Sequence, residues 1–322
     1  MTGYATPPGF DPSSAETVLE PGETGEGNWA GAPCVHRHGG ETYLGVRDRV
    51  PDARGRKVTI YRRTGRAEYE PVTSITAEDL DVVSIERPAL VTDPDTGRLK
   101  LYLPVDHGAN QWTIQKLGDV PSPEAFDPST AHDVLRPKAG GSDRATVKDP
   151  YVLTVGGRYY MFYSGNDTRS EQGHLATSVD GETWQRSPNN PILERGYWHD
   201  HHTRVSCVIP APDAPVWLVF YDGSGLTDEG RTWNLRTGLA VSSDLEEFVD
   251  TTPDGPVYQA SAGDARIGVD TFETCRYVDI LSSEDGWEMF AEVAREDGSF
   301  ELRRQRIDPE TGQTVNAGDQ HG

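Results

Sequence analysis

Val147-Lys148-Asp149-Pro150-Tyr151-Val152-Leu153, followed by Gly156-Gly157-Arg158 and Tyr159-Tyr160-Met161-Phe162-Tyr163-Ser164-Gly165, decides how this chain is read. The stretch predicts a strand, a tight turn and a second strand. The second strand is aromatic and nearly continuous, the pattern of a strand covered on both faces. Pro150 cannot donate to a ladder, so it belongs at a strand start or a bulge. That places the Asp149 carboxylate at the mouth of a strand, where catalytic or ligand groups are often carried. The alternative role for Asp149 is a turn residue serving the backbone ahead of a proline.

The same order recurs in both directions from this stretch. A first unit starts at Asn28-Trp29-Ala30-Gly31-Ala32-Pro33, turns at Gly39-Gly40 and continues through 41–47, 57–62 and 69–75. A second starts at Glu86-Arg87-Pro88-Ala89 and continues through 99–103, 112–117 and 133–135. The third holds the opening stretch, then 174–179, the turn Asp180-Gly181, and Trp184 with 191–193. The fourth takes 202–209, 216–221, 237–241 and 257–258; the fifth takes 270–276, 287–293 and 300–307. Almost no segment carries a sustained 3.6-residue period. Units of roughly 45 to 60 residues with four short strands each are the signature of propeller blades. The expectation is an all-β fold: one five-bladed β-propeller over 28–307, with four antiparallel strands per blade. Residues 1–27, rich in Pro, Gly, Ser and Glu, read as an arm or lid, and 308–322 as a polar tail. The arm can supply the strand that the fifth unit lacks. A pair of β-sandwiches is the rival architecture, and the regular recurrence argues against it.

The 322 residues carry 52 acidic and 30 basic side chains, a net charge of -22. Five of the basic residues are Lys and the rest Arg. This balance resembles haloarchaeal proteins, whose acidic surfaces stay hydrated in salt that screens self-repulsion. It argues against a nucleic-acid partner, because phosphate binding needs a basic footprint. Cys34, Cys207 and Cys275 are odd in number and far apart, which suits buried inert thiols rather than a zinc site or disulfides. The start, Met1-Thr2-Gly3-Tyr4-Ala5-Thr6, lacks a basic segment and an apolar run, and no long apolar stretch follows. The expectation is a cytoplasmic protein with no membrane partner. Its oligomeric state stays open.

Lys148-Asp149-Pro150-Tyr151-Val152 with the strand after Gly157, together with Ala176-Thr177-Ser178-Val179-Asp180-Gly181-Glu182-Thr183-Trp184, resembles the five-bladed propeller glycoside hydrolases. These are the arabinanase/xylosidase, invertase/fructosidase and mannoside-phosphorylase groups. A weaker echo, Ala240-Val241-Ser242-Ser243-Asp244, lies in the fourth unit. The resemblance covers roughly residues 28–307. It implies carboxylates around the axis at the starts of the innermost strands. It implies cleavage of a glycosidic bond in a carbohydrate, with one carboxyl protonated and another ionised. The first unit departs from the pattern, with Ala32 before Pro33 where those families keep Asp.

Asp149, Glu86, Glu273 and Asp270 are therefore the candidate catalytic carboxylates. Glu86 adjoins Arg87, and strand alternation turns only one of them inward unless a bulge intervenes. Trp198-His199-Asp200-His201-His202-Thr203-Arg204 is the densest polar cluster, fit for sugar recognition, acid–base work or a histidine metal site. Asn28, Trp29, Arg87, Asp200, His201, His202, Arg204 and Arg276 are the candidate substrate contacts; no resident metal or cofactor is expected. Trp112 is a further stacking candidate or a core residue. The competing readings are a glycan-binding propeller without catalysis, and a phosphorylase that uses phosphate in place of water.

Overall fold

The computed structural model of the protein describes residues 9–212, 214–226, 232–261, 273–283, 286–308, 311 and 313–315. Among these, the helical elements are two short 3-10 turns, Pro123–Ala125 and Pro128–Thr130. Among the described residues, no helix is long and apolar enough to cross a membrane. Strand β1 (Glu16–Leu19) comes first. Then β2 (Trp29–His38), β3 (Glu41–Val50), β4 (Arg54–Arg63) and β5 (Tyr69–Thr76) form an antiparallel meander. Next come β6 (Ser84–Ile85) and β7 (Ala89–Thr92), two halves of one interrupted strand. Both pair with β8 (Leu99–Asp106), which leads to β9 (Trp112–Val120) and β10 (His132–Leu135). A further meander contains β11 (Thr146–Val155), β12 (Arg158–Asn166), β13 (Glu171–Ser178) and β14 (Gln185–Arg186). Another contains β15 (His202–Pro210), β16 (Trp217–Ser224), β17 (Arg236–Ser242) and β18 (Val249–Asp250). The last contains β19 (Cys275–Ser283), β20 (Gly286–Ala294) and β21 (Phe300–Ile307). Its outer neighbour is β1, antiparallel to β21 with Glu16 opposite Arg304. The N-terminal segment thus lends a strand to the C-terminal meander. Single parallel pairs, Trp29 with Phe300 and Gln172 with Thr203, link neighbouring meanders.

Two expected outer strands lie elsewhere. Residues 191–193 form a turn, and the outer strand is β14. Pro191 has no N–H to give, and Ile192 and Leu193 instead enter the core from that turn. Val257 and Tyr258 make only an isolated bridge to Thr237, while β18 takes the edge.

The innermost strands share one irregularity. Register shifts occur between Gly31 and Cys34, Lys148 and Tyr151, Val205 and Cys207, and Arg276 and Asp279. Between β6 and β7 the strand is broken outright by Glu86-Arg87-Pro88. Pro33, Pro88 and Pro150 sit at these breaks, where a missing donor costs no ladder bond. Ala32, Asp149 and Tyr277 adopt φ of 50°, 50° and 53° there. A left-handed non-glycine residue costs about 1–2 kcal/mol. Such bulges re-aim side chains.

Between meanders the apolar faces interlock. Leu218, Phe220 and Leu239 pack with Val278, Met289 and Phe300, and Leu101, Leu103 and Leu117 with Val58 and Ile60. The three cysteines are free and buried within this packing. Burial raises the Cys34 thiol to about 12. Gly156 and Gly157, at φ 57° and 78°, make the two-residue hairpin that the sequence predicts. The Ser-x-Asp echo also has a physical basis. Ser178 accepts from the Asp180 and Gly181 N–H groups, and Asp180 Oδ1 from those of Glu182 and Thr183. Ser242 and Asp244 repeat all four bonds with Asp244, Leu245, Glu246 and Glu247.

Candidate active site at the strand bulges

The bulges turn charged groups into one central cavity of about 330 Å³. Arg47, Arg49, Arg54, Lys148, Arg204 and Arg276 line it, with Glu26, Glu86 and Asp149. Trp29, Trp233 and Tyr277 supply its aromatic walls. In a chain of net charge -22, the described lining residues carry six cations against three carboxylates.

Four of these cations pair with carboxylates of neighbouring elements: Asp222 and Glu292 on the second strands β16 and β20, Glu171 on β13, and Glu86 at the break between β6 and β7. Near three of the four bulges an inner-strand residue lies opposite a charged residue of the second strand: Gly31 opposite Arg47, Arg204 opposite Asp222, Arg276 opposite Glu292; at the fourth, Lys148 lies opposite Ser164. Arg204 Nη2 donates to Asp222 Oδ2 at 3.1 Å, and Arg204 Nη1 to Glu171 Oε2 at 3.1 Å. Glu171 also pairs with Lys148. Arg276 donates to Glu292 from Nε at 2.8 Å. Arg47 bridges Glu86 and Glu292, at 2.5 Å to each. Gly31 is required by this bridge: a Cβ there would stand 2.1 Å from Glu292 Oε2.

Asp149 and Glu86 are both buried, yet their carboxyls are biased in opposite directions. Burial raises the Asp149 pKa; Arg204 and Lys148 oppose the rise, and the Glu171 and Glu86 charges add to it. Its Oδ2 accepts from the Tyr277 hydroxyl at 3.1 Å and lies 3.5 Å from Arg204 Nη1. Its Oδ1 has no partner among the described residues. Burial would raise Glu86 as well, but Arg47, Arg49 and Lys148 outweigh it and hold the carboxyl at about 2. Tyr277 joins the two ends of the site. Its ring lies 4.8 Å from the Arg204 guanidinium and 5.2 Å from that of Arg276, and its N–H donates to Asp222.

Other sequence candidates take different places. Arg87 faces away from this cavity, donating to the Pro33 carbonyl at 3.0 Å and the Ser206 carbonyl at 2.7 Å. It ties inner strands together, while Glu86 lines the cavity. Asn28 spends its amide on the Thr24 and Gly25 carbonyls. Glu273 accepts from Asn234 at 2.9 Å and faces Arg236, off the cavity wall. Asp270 lies outside the described residues. Asp200 anchors a loop by accepting from the Leu226 N–H at 2.7 Å. His199 bonds Asp250 at 3.0 Å. Trp112 is fully buried core, its N–H given to Asn110.

His202 is closer to the site. Its Nδ1 accepts from the Glu171 N–H at 3.0 Å, which fixes the neutral ring with its proton on Nε2. Burial brings its pKa down to about 3. Its ring lies between His201, at 4.1 Å, and Trp233, at 4.6 Å. Among the described residues, no group of three or more His, Cys, Asp or Glu is arranged to hold a metal ion.

Arg47, Arg49, Lys148, Glu171, Asp222, Tyr277 and Glu292 are the members that sequence reasoning passed over. Asp222 directly follows an apolar run, Trp217 to Tyr221, and Glu292 interrupts one, Met289 to Val293. A charge inside or at the end of such a run was the available signal, since buried charges survive only when paired.

No family model matches the chain, and no curated protein matches its sequence significantly. Its fold does match solved structures. One, from work on GH130 mannoside phosphorylases and glycoside hydrolases that target β-1,2-mannosidic linkages in Candida mannan, has TM-score 0.69 and 16% identity, covering 98% of each chain. An exo-1,5-α-L-arabinanase from a bovine ruminal metagenomic library has TM-score 0.60 and 14% identity, covering 88% of this chain and 94% of that one. A BT0996 RGII complex has TM-score 0.65 and 14% identity, covering 89% of both. The chain therefore has the all-β fold found in glycoside hydrolases of the propeller type. Identities this low speak for the fold alone.

Proposed function

We propose that the protein is a five-bladed β-propeller enzyme that cleaves a glycosidic bond. Each meander is one four-stranded blade, and β1 completes the fifth. Asp149 is the general acid and Glu86 the ionised partner. The observation that carries this reading is the opposite protonation bias of two carboxyls in one cavity. Glycosidic cleavage needs that asymmetry. Asp149 retains its proton to a higher pH, and its unpartnered Oδ1 can deliver it to the leaving oxygen. Arg47 keeps Glu86 charged, so it can activate water or meet the developing positive charge at the anomeric carbon. Tyr277 and Arg204 hold Asp149 Oδ2, fixing the direction in which Oδ1 points. Trp233 offers a face for a sugar ring, whereas the Trp29 ring is stacked on Phe300 and covered by Arg49.

Ala32 favours a second reading, a glycan-binding propeller without turnover. It occupies a bulge of the same φ as Asp149 but offers no carboxylate. A screen of aryl glycosides and oligosaccharides, with and without phosphate, separates the two readings. Wild type is expected to release sugar, and Asp149→Asn and Glu86→Gln to lose most of that release. Glycan binding with no turnover in any condition would leave the second reading standing. Release that requires phosphate would make the enzyme a phosphorylase.

A further inference from the structure

Arg49 differs from the other buried cations of the cavity. Arg47, Lys148, Arg204 and Arg276 each have a carboxylate within ion-pair distance. Arg49 is half-buried and forms no ion pair among the described residues. Its guanidinium carbon lies over the Trp29 ring, 3.8 Å from its centre. Its Nε is buried without a partner. Burial, which outweighs the pull of Glu86, takes its pKa down to about 10, the mark of a cation short of compensation. Neighbouring donors are orphaned too. Among the described cavity residues Arg47 Nε, Arg204 Nε and Trp29 Nε1 have no acceptor, against a single orphaned acceptor, Asp149 Oδ1. A cavity wall with surplus donors and one uncompensated charge is complementary to an acceptor-rich monoanion.

We infer that the sugar bound here carries a carboxylate, as a uronic acid does, and that Arg49 on its Trp29 shelf receives it. The inference rests on the glycan-cleaving reading for the site but concerns binding. A uronate brings one negative charge to match one unpaired guanidinium. Inorganic phosphate is a mixture of monoanion and dianion near neutrality, and its dianion would bring a second negative charge beside ionised Glu86, whose charge acts directly on Arg49. The carboxylate is therefore the better fit. Arg54, exposed at the cavity mouth, adds attraction without a fixed bond.

The test is calorimetric binding at fixed ionic strength of glucuronate- and galacturonate-containing oligosaccharides, their neutral glucose and galactose counterparts, and inorganic phosphate. A uronate oligosaccharide is expected to bind at least tenfold tighter than its neutral counterpart. Arg49→Gln is expected to remove that preference, so that the ratio of uronate to neutral affinity falls toward one. The same variant is expected to melt no lower than wild type when empty, since it deletes an unpaired buried charge. Equal binding of neutral and uronate sugars overturns the inference, as does a preference that survives Arg49→Gln. Binding of phosphate with no binding of uronates overturns it as well, assigning the cation to a phosphate acceptor. Uronate binding without bond cleavage would support this inference while refuting the catalytic reading.

Discussion

Replacing Arg47 with Met tests the electrostatic design of the site. Arg47 is 1% exposed and bridges Glu86 and Glu292 at 2.5 Å each. Glu292 keeps Arg276 when Arg47 is lost. Glu86 keeps only the more distant charges of Arg49 and Lys148. Its carboxyl sits at about 2 in the folded protein, against an ordinary 4.5. At about 1.4 kcal/mol per unit, that difference corresponds to roughly 3 kcal/mol. Breaking a buried pair from one side costs about 3–5 kcal/mol, so the two routes agree. The sign fixes the pH dependence. A folded pKa below the unfolded one contributes stability that is full above 4.5 and lost as pH falls through about 2. In Arg47→Met the folded pKa rises, and Glu86 takes up a proton sooner. The stability gap between wild type and variant should therefore be widest near neutral pH and narrow toward acid. Urea unfolding followed by tryptophan fluorescence at about pH 7, 5 and 3.5 measures it. Arg47→Met/Glu86→Leu should recover most of the loss. A gap below about 1 kcal/mol at neutral pH, a gap that ignores pH, or a double variant no better than the single one would refute the reasoning.

Three further predictions concern neighbouring features. Gly31→Ala places a Cβ 2.1 Å from Glu292 Oε2 and should cost about 2–4 kcal/mol in the same unfolding assay, whereas Gly39→Ala, with open space around it, should cost less. Tyr277→Phe removes a hydrogen bond to the charged form of Asp149 and should cost about 1–2 kcal/mol. It should also move the alkaline limb of the pH–rate profile upward, because Asp149 then keeps its proton longer; a downward move would contradict the donor role. With a net charge of -22, raising KCl from about 0.1 M to about 2 M should raise the melting temperature, and an unchanged or lower one would remove the case for salt adaptation.

The strand-mouth position of Asp149 was legible in the sequence because Asp-Pro marks a bulge, and the fold puts Asp149 on the wall of the central cavity. The Ser-x-Asp echo was legible for a similar local reason, since its four hydrogen bonds lie within a few residues. Glu86 and Arg87 could not be separated in advance, because a broken strand abolishes the alternation that would have chosen between them. Asn28, Asp200 and Glu273 look alike in sequence to site residues, but neighbouring backbone or side chains consume their polar atoms. Arg47, Asp222 and Glu292 were hidden for the opposite reason. They come from second strands far along the chain and become partners only when the meanders assemble. Ala32 remains as the sequence showed it, a bulge without its acid.

The most direct test of the central claim is the leaving-group dependence of Asp149→Asn. If Asp149 protonates the departing oxygen, the variant should lose about 10²- to 10⁴-fold on a glycoside with a poor, alkyl-type leaving group. It should lose little on a dinitrophenyl glycoside of the same sugar, whose leaving group departs without a proton. Equal losses on both substrates, or full activity on the poor one, would contradict the assignment.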